Sequence, residues 1–420
     1  MRAIRSGELA DRAFARLAGP LDVRDRAWVH ELVYGTLRLR GRLDFVLDRF
    51  VKRGIAALDE DVLDILRLGA YQLLEMHSVP AHAAVSQSVE LTKSVRERSA
   101  SGLVNGVLQS VQRAQAELAP ETTHRVEFLS QWGSHPGWLI ERWVERFGES
   151  VTAQIVDANN QRPELYIRPV GISVQDAMVR ATAAGIELQP VESAPDALHV
   201  VAGRSQDVLT SLPAIVQDPA AGLVARYAAP GGGVIADVCA APGGKAIAIA
   251  DQVVARGVVI ACDIAASRLG RALENAHRIG ALPLYFMVAD ARRPALAHAD
   301  LVLLDAPCTG TGTLRRHPDG KWRLTSDDLH ALVQLQGELL DAVADIVKIG
   351  GILVYATCSI EAEENQEQVS AFLDRHTNFL RRPPASWHAP ALLDEVGDLV
   401  VLPHELGFDG SFAARLERVA

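Results

Sequence analysis

The chain has 420 residues, 49% of them hydrophobic and 22% charged, with a formal net charge of −10. That length favours two or three domains, each able to bury its own core. No apolar run approaches eighteen residues, and the start, MRAIRSGELADRAFARL, has no apolar signal region and carries Glu8 and Asp11, which argues against a membrane span, a secretory leader or a transit peptide and points to the cytoplasm. The four cysteines, Cys239, Cys262, Cys308 and Cys358, fall in the second half with no C-x-x-C pair, which argues against a disulfide framework and a structural metal.

The charge is uneven along the chain. Residues 1–113 hold 17 Lys+Arg against 14 Asp+Glu, and the remainder holds 25 against 38. A net acidic balance does not exclude a local nucleic-acid patch at the basic front.

Residues 1–125 are expected to be all helix. In LDEDVLDILRLGAYQLLEM, Val62, Leu66, Ala70 and Leu73 recur at helical spacing; Asp59 can cap the segment, and Glu60 and Asp61 suit its positive end. SGLVNGVLQSVQR repeats the pattern, and a small helical bundle follows. In TLRLRGR, Arg38, Arg40 and Arg42 serve equally well as phosphate contacts or as a basic helix end before Gly41.

Residues 126–225 read as a small α/β unit. HPGWLIERWVERFG predicts a short aromatic-rich helix, ELYIRPV a strand, SVQDAMVRATAAGI a helix and ALHVV a strand. Residues 226–420 then alternate: VIADV, GVVIAC, LYFMV, DLVLL and GILVYAT are short, apolar and partly β-branched, separated by helical segments. The pattern predicts a mostly parallel, doubly wound, Rossmann-like sheet that binds ligands beyond the carboxyl ends of its strands.

Three features cluster at those ends. The loop Cys239-Ala240-Ala241-Pro242-Gly243-Gly244-Lys245 turns tightly and leaves room for a ligand against the main chain, but it is neither G-x-G-x-x-G nor a P-loop. A dinucleotide or nucleoside triphosphate is therefore disfavoured, and an adenosine-containing ligand without phosphates remains compatible. Asp263, Asp290 and Asp305 end successive strands, placed for a ribose, an adenine amino group and a third partner. Cys308 in LLDAPCTGTG and Cys358 in VYATCSIEAEEN occupy loops with polar neighbours, where burial explains a cysteine poorly. A helix is expected to begin right after Cys358, its positive end lowering the thiol pKa and its first turn capped by Glu361, Glu363 and Glu364.

DVCAAPGGK, ACDIAASRLGRALENAHRIG, VADAR, LLDAPCTGTGTLRRHPD and YATCSIEAEENQEQV, in that order, resemble the motifs of the RNA cytosine-5 methyltransferases of the RsmB/Fmu (Sun) group. RDRAWVHELVYGTLRLRGRLD and LRLGAYQLLEMHSVPAHAAVSQSVELTK resemble the NusB-like helical domain of the RsmB type, so the resemblance runs over nearly the whole chain. It implies methyl transfer from S-adenosyl-L-methionine to C5 of a cytosine in 16S rRNA, free or in a small-subunit assembly intermediate, by a monomer. It assigns Cys358 as the thiol that attacks C6 and Cys308 as the thiol of product release. It sets Asp305 beside N3 and N4 of the base, Lys245 at the entrance of the active site, and residues 239–245, Asp263, Arg268, Asp290 and Asp305 around the cofactor. A tRNA or another rRNA site, and a non-catalytic RNA-binding regulator, are the competing readings. In TLRRHPDGKWR the resemblance sets Arg315, Arg316, Lys321 and Arg323 near the RNA, with His317 and Trp322 available for stacking or Trp322 packed beneath the loop. The end departs from the family pattern: PHELGFDGSFAARL has Phe408 for Thr and Ser411 for Phe.

Overall fold

The computed structural model describes residues 1–95, 100–114, 118–119, 125–253, 256–280 and 282–420. They form two compact units: Met1–Arg162 with Leu314–Arg323, and Pro163–Thr313 with Leu324–Ala420.

The first unit is helical among its described residues. Asp59 accepts the Asp61 N–H and caps helix Glu60–Glu75, as its sequence predicts, and Asp22 caps Val23–Arg38 through the Asp25 N–H. Leu43, Leu47, Leu66, Val104 and Leu108 are fully buried and form the centre of the bundle. Gly69 lets the helices close: a Cβ there would lie 2.6 Å from Leu108 Cδ1. The basic run departs from expectation. One helix ends at Arg38 and the next, Arg40–Asp48, begins after Leu39, so Gly41 lies inside a helix rather than after one. Arg125–Gln131 and Gly137–Asn160 also belong to this unit, the latter broken at Gly148, where φ is 77°.

The second unit carries two sheets. The small one is antiparallel, in the order β2 (Glu187–Pro190), β3 (Leu198–Ala202), β1 (Tyr166–Pro169), β4 (Ala214–Val216). Helix Val174–Ala183, capped by Ser173, packs its Ala177 and Ala181 into the same core as Ile167 and Leu198.

The large sheet has eight strands: β5 (Val234–Asp237), β6 (Val258–Asp263), β7 (Leu284–Val288), β8 (Ala299–Asp305), β9 (Val347–Thr357), β10 (Phe379–Arg381), β11 (Leu399–Val401) and β12 (Ser411–Arg418). Their order is β10-β12-β9-β8-β5-β6-β7, with β11 paired to β12. The five strands β5 to β9 are mutually parallel, and β10 to β12 add an antiparallel edge. Apolar residues cover both faces, with Ile235, Leu303 and Val354 on one and Ala236, Leu304 and Tyr355 on the other, which is why these strands read as continuous apolar runs. The chain runs outward from β5 to β7 and returns to β8 on the other side of β5. That reversal is a topological switch point, and sheets of this kind bind ligands beyond the carboxyl ends of the strands there, here β5 and β8.

Candidate active site at the strand ends

β5 ends at Asp237 and the chain turns into the loop 239–245. Gly243, at φ 98°, is the N-cap of helix Gly244–Gln252, and a Cβ on it would lie 2.3 Å from Ala272 Cβ. Only glycine brings the loop this close to the neighbouring helix. Ala240 N–H donates to the Cys262 carbonyl at 2.8 Å, and Arg268 Nη2 donates to the Ala241 carbonyl at 2.7 Å. Asp263 accepts the Ala241 N–H on Oδ2 at 3.1 Å and the Ala265 N–H on Oδ1 at 2.9 Å. Arg268 and Asp263 therefore hold the loop from two sides, and each Asp263 oxygen keeps a further lone pair. Asp290, two residues beyond β7, is clasped by Arg292; that hydrogen bond lowers its pKa.

Lys245 Nζ donates to Asp305 Oδ2 at 2.7 Å, with side-chain exposures of 16% and 27%. Burial pulls the Lys245 pKa down, but the charge of Asp305, the hydrogen bond to it and nearby Cys358 outweigh burial and hold the ammonium above its ordinary value. Cys308 and Cys358 lie fifty residues apart in sequence with their sulfurs 3.4 Å apart. The hydrogen bond from Cys308 lowers Cys358, with a further favourable pull from Lys245 against burial, Asp305 and Asp409. Cys308 is raised by its bond to Cys358, by burial and by Glu364. The two shifts are opposite in direction, so of the two thiols Cys358 is the one favoured to ionise. Cys239 and Cys262 are raised by burial, Cys262 to about 11, as inert buried thiols are. All four cysteines are free.

The segment after Cys358 corrects an expectation. No helix follows it directly: residues 359–361 are irregular, and the helix begins at Gln366 with Asn365 as an N-cap whose side chain bonds Thr357 and the Ser359 carbonyl rather than the helix. Glu361 and Glu364 are buried at 2% and 0% exposure, and Glu364 accepts hydrogen bonds from Thr309 and Gln336. Glu364 is an internal clamp, and Lys245 with the Cys308 thiol, not a helix end, favours the Cys358 thiolate.

Two residues at this edge escaped the sequence reading. Asp237 is fully buried, and neither oxygen finds a well-formed hydrogen bond. Burial, then the charge of Asp305, push it up to about 8 against weaker pulls from Lys245 and the Cys239 N–H. It carries the same strand-end signal as Asp263 and Asp305. Gln217 is 7% exposed with both amide atoms unpaired, and its Nε2 lies 3.2 Å from where a Gly244 Cβ would stand. Nothing in its local sequence marks it. An unpaired buried amide and a glycine cradle at a helix N-terminus suit a ligand bearing both donors and acceptors, such as the amino-acid end of S-adenosylmethionine. Among the described residues no cluster of His, Cys, Asp and Glu suits a metal ion, and no helix is long and apolar enough to cross a membrane.

The candidate RNA contacts lie in the first unit. Three of them are buried there, which removes the exposure a phosphate contact needs. Arg38 is 5% exposed and donates to the Arg315 carbonyl, and Arg315 itself is 4% exposed. Lys321 is completely buried, its ammonium bonded to the Arg38 carbonyl, the Ser134 carbonyl and Asn160 Oδ1. Trp322 donates to the Leu37 carbonyl and packs beneath Arg40, and His317 pairs with Asp11. Arg42 stacks on Trp132 and bonds its carbonyl. Arg40, Arg316 and Arg323 keep exposed or half-buried side chains.

Comparison with known proteins matches this arrangement. The family model described as 16S rRNA methyltransferase RsmB/F covers residues 228–417, the NusB family covers residues 3–113, and a ferredoxin-like domain of RsmF/B-like methyltransferases covers residues 135–206. Ribosomal RNA small subunit methyltransferase B of Yersinia pseudotuberculosis is 33% identical over 420 residues, covering 98% of this chain and 94% of its own. The chain belongs to the RsmB/F family of 16S rRNA methyltransferases. The Escherichia fergusonii protein of the same name is 35% identical over 388 residues, covering 89% and 87%. The crystal structure of PH0851 superposes with a TM-score of 0.80 at 27% identity, covering 97% of this chain and 93% of that one. Within the RsmB/F frame, the NusB-like region lies in the helical unit, and the ferredoxin-like region takes in most of the small antiparallel sheet.

Proposed function

We propose that this methyltransferase transfers a methyl group from S-adenosyl-L-methionine to C5 of a cytosine in 16S rRNA, in the cytoplasm, through a covalent bond between Cys358 and C6. The observation that carries the reading is the pair of thiols 3.4 Å apart beside the Lys245–Asp305 ion pair, at the crevice where such sheets bind ligands. C5 of cytosine is a weak nucleophile. When the Cys358 thiolate adds to C6, the ring electrons gather at C5, which then takes the methyl group that S-adenosylmethionine supplies. Loss of the methyl leaves S-adenosylhomocysteine; the C5 proton then passes to water, its C–H electron pair re-forms the C5–C6 double bond, and the Sγ–C6 bond breaks to restore the thiolate. In this reading Asp305, which accepts from Lys245 on Oδ2, accepts from the exocyclic amino group of the base. Cys308, holding a proton beside the attacking sulfur, serves the release step.

Residues 239–245, Asp263, Arg268 and Asp290 hold the cofactor, with Gln217 against Gly244. Such a base must be unpaired or flipped to reach the half-buried Cys358 thiolate. Arg40, Arg316 and Arg323 are the candidate RNA contacts that keep exposure. The test uses Cys358→Ala and Cys308→Ala with rRNA on a denaturing gel. Cys358→Ala should lose methyl transfer by at least about 10⁴-fold with cofactor affinity retained. Cys308→Ala should accumulate a slowly migrating protein–RNA adduct. An adduct with Cys358→Ala instead would exchange the two roles, and substantial turnover by Cys358→Ala would end the nucleophile assignment.

A further inference from the structure

We propose that Glu364 is a positioning residue of the two-thiol site, whose buried carboxylate fixes the turn around Cys308 against the segment carrying Cys358 and sets a negative charge on the Cys308 side of the pair. The proposal rests on the two-thiol reading above and deepens it.

The geometry is a clamp on both sides of Cys308. Glu364 Oε1 accepts the Thr309 N–H at 2.9 Å, and Oε2 accepts the Thr309 hydroxyl at 2.5 Å. Gln336 Nε2 donates to the same Oε1 and to the Pro307 carbonyl, both at 2.9 Å. The residues before and after Cys308 are therefore tied to one carboxylate, directly or through one amide. Glu364 is in turn tied to the other cysteine's strand, because the Tyr355 hydroxyl donates to its carbonyl at 2.6 Å. The Gly312 N–H donates to the Cys358 carbonyl at 3.0 Å, closing the two segments on each other.

Charges lie near both sulfurs, but at Cys358 a cation is among them. Glu364 and Cys358 face Cys308, with the Tyr355 phenol close by. Cys358 faces Cys308, Asp305, Lys245 and Asp409, and Lys245 is the cation among them. The hydrogen bond between the sulfurs is the largest influence on both; beside it, the Glu364 charge opposes ionisation of Cys308, while Lys245 offsets part of the opposing charge of Asp305 and Asp409 at Cys358. A cap has no such consequence, and Glu364 spends its oxygens on Thr309 and Gln336 rather than on the helix that starts at Gln366.

Glu364→Gln separates charge from shape. Its amide oxygen can still accept from Thr309 N–H and Gln336, and its NH2 can donate to the Thr309 hydroxyl. In the full-length protein carrying Cys358→Ser, the pH dependence of Cys308 alkylation by iodoacetamide is followed by peptide-resolved mass spectrometry. Adding Glu364→Gln should lower the midpoint by at least about one pH unit. Thr309→Val loosens the same clamp but keeps the charge, and it should not lower the midpoint. An unchanged midpoint with Glu364→Gln, or an equal fall with Thr309→Val, overturns the proposal. The measurement uses neither RNA nor S-adenosylmethionine. Its failure leaves the methyl-transfer reading standing, whereas a wild-type protein that transfers no methyl group sinks that reading whatever the midpoint.

Discussion

Lys245 and Lys321 are both withdrawn from solvent, and the structure uses them in opposite ways. Lys245, at the strand ends of the second unit, meets a carboxylate at 2.7 Å and stays charged. Lys321, in the helical unit, meets two carbonyls and one amide oxygen, with Arg38 and Arg42 nearby; burial and then those charges lower its pKa far below the usual value. Burial alone does not say whether a lysine is an ion. The partner does, because a nearby opposite charge offsets desolvation and neutral oxygens offset only part of it. One lysine is therefore suited to chemistry and the other to holding a segment in place.

The sharpest way to break this contrast is Lys245→Met. It should lower methyl transfer by roughly 10²–10³-fold, since it removes the cation from Asp305 and from the Cys358 thiolate. Alkylation of Cys358 should also shift to higher pH. A variant with wild-type turnover would show that the ion pair is structural.

Lys321→Met should act on stability instead. It takes the ammonium donor from the Ser134 carbonyl and Asn160 Oδ1, and leaves the Arg38 carbonyl with the Ser134 hydroxyl, a cost of about 1–3 kcal/mol in urea unfolding. The linkage adds a second signature. The folded-state pKa of Lys321 lies below that of the unfolded chain, so between the two values the unfolded state binds more protons and stability rises with pH. That rise should vanish in Lys321→Met. A variant that unfolds like the parent at every pH would remove Lys321 from its structural role.

A smaller effect is expected at Asp237, where the sign is reversed. Its carboxyl titrates near about 8 when folded and about 3.9 when unfolded. The proton it holds stabilises the fold fully below the lower value, and that contribution is lost as pH rises through the higher one. Asp237→Asn should flatten this decline, giving a Tm at pH 8 closer to that at pH 5 than the parent shows. The smallest effect belongs to Arg323→Ala: at 42% exposure its ion pair with Asp319 should contribute under about 1 kcal/mol, while rRNA affinity should fall and its salt dependence weaken.

Periodicity made the helices of the first unit and the five parallel strands legible, because each element buries a face with its own spacing. The tight turn of residues 239–245 was legible because its glycines permit a backbone that other residues rarely adopt. Glu364 was not. Its position in SIEAEEN suits a helix cap by local rules, and only the fold brings Thr309 and Gln336 to it. Lys321 was misread for the same reason: a lysine in a basic run looks solvated until Arg38, Ser134 and Asn160 enclose it.

The sequence by itself determined the sheet, the crevice at its strand ends and the pair of cysteines placed there, since strand pattern, turn residues and motif order are local properties. Tertiary structure alone decided that the two sulfurs meet at 3.4 Å, that Lys245 lies on one side and Glu364 on the other, and that Lys321 is sealed inside the helical unit. These are matters of distance between residues far apart in the chain, and the strength of a charge in a protein interior depends on that distance and on what water is excluded.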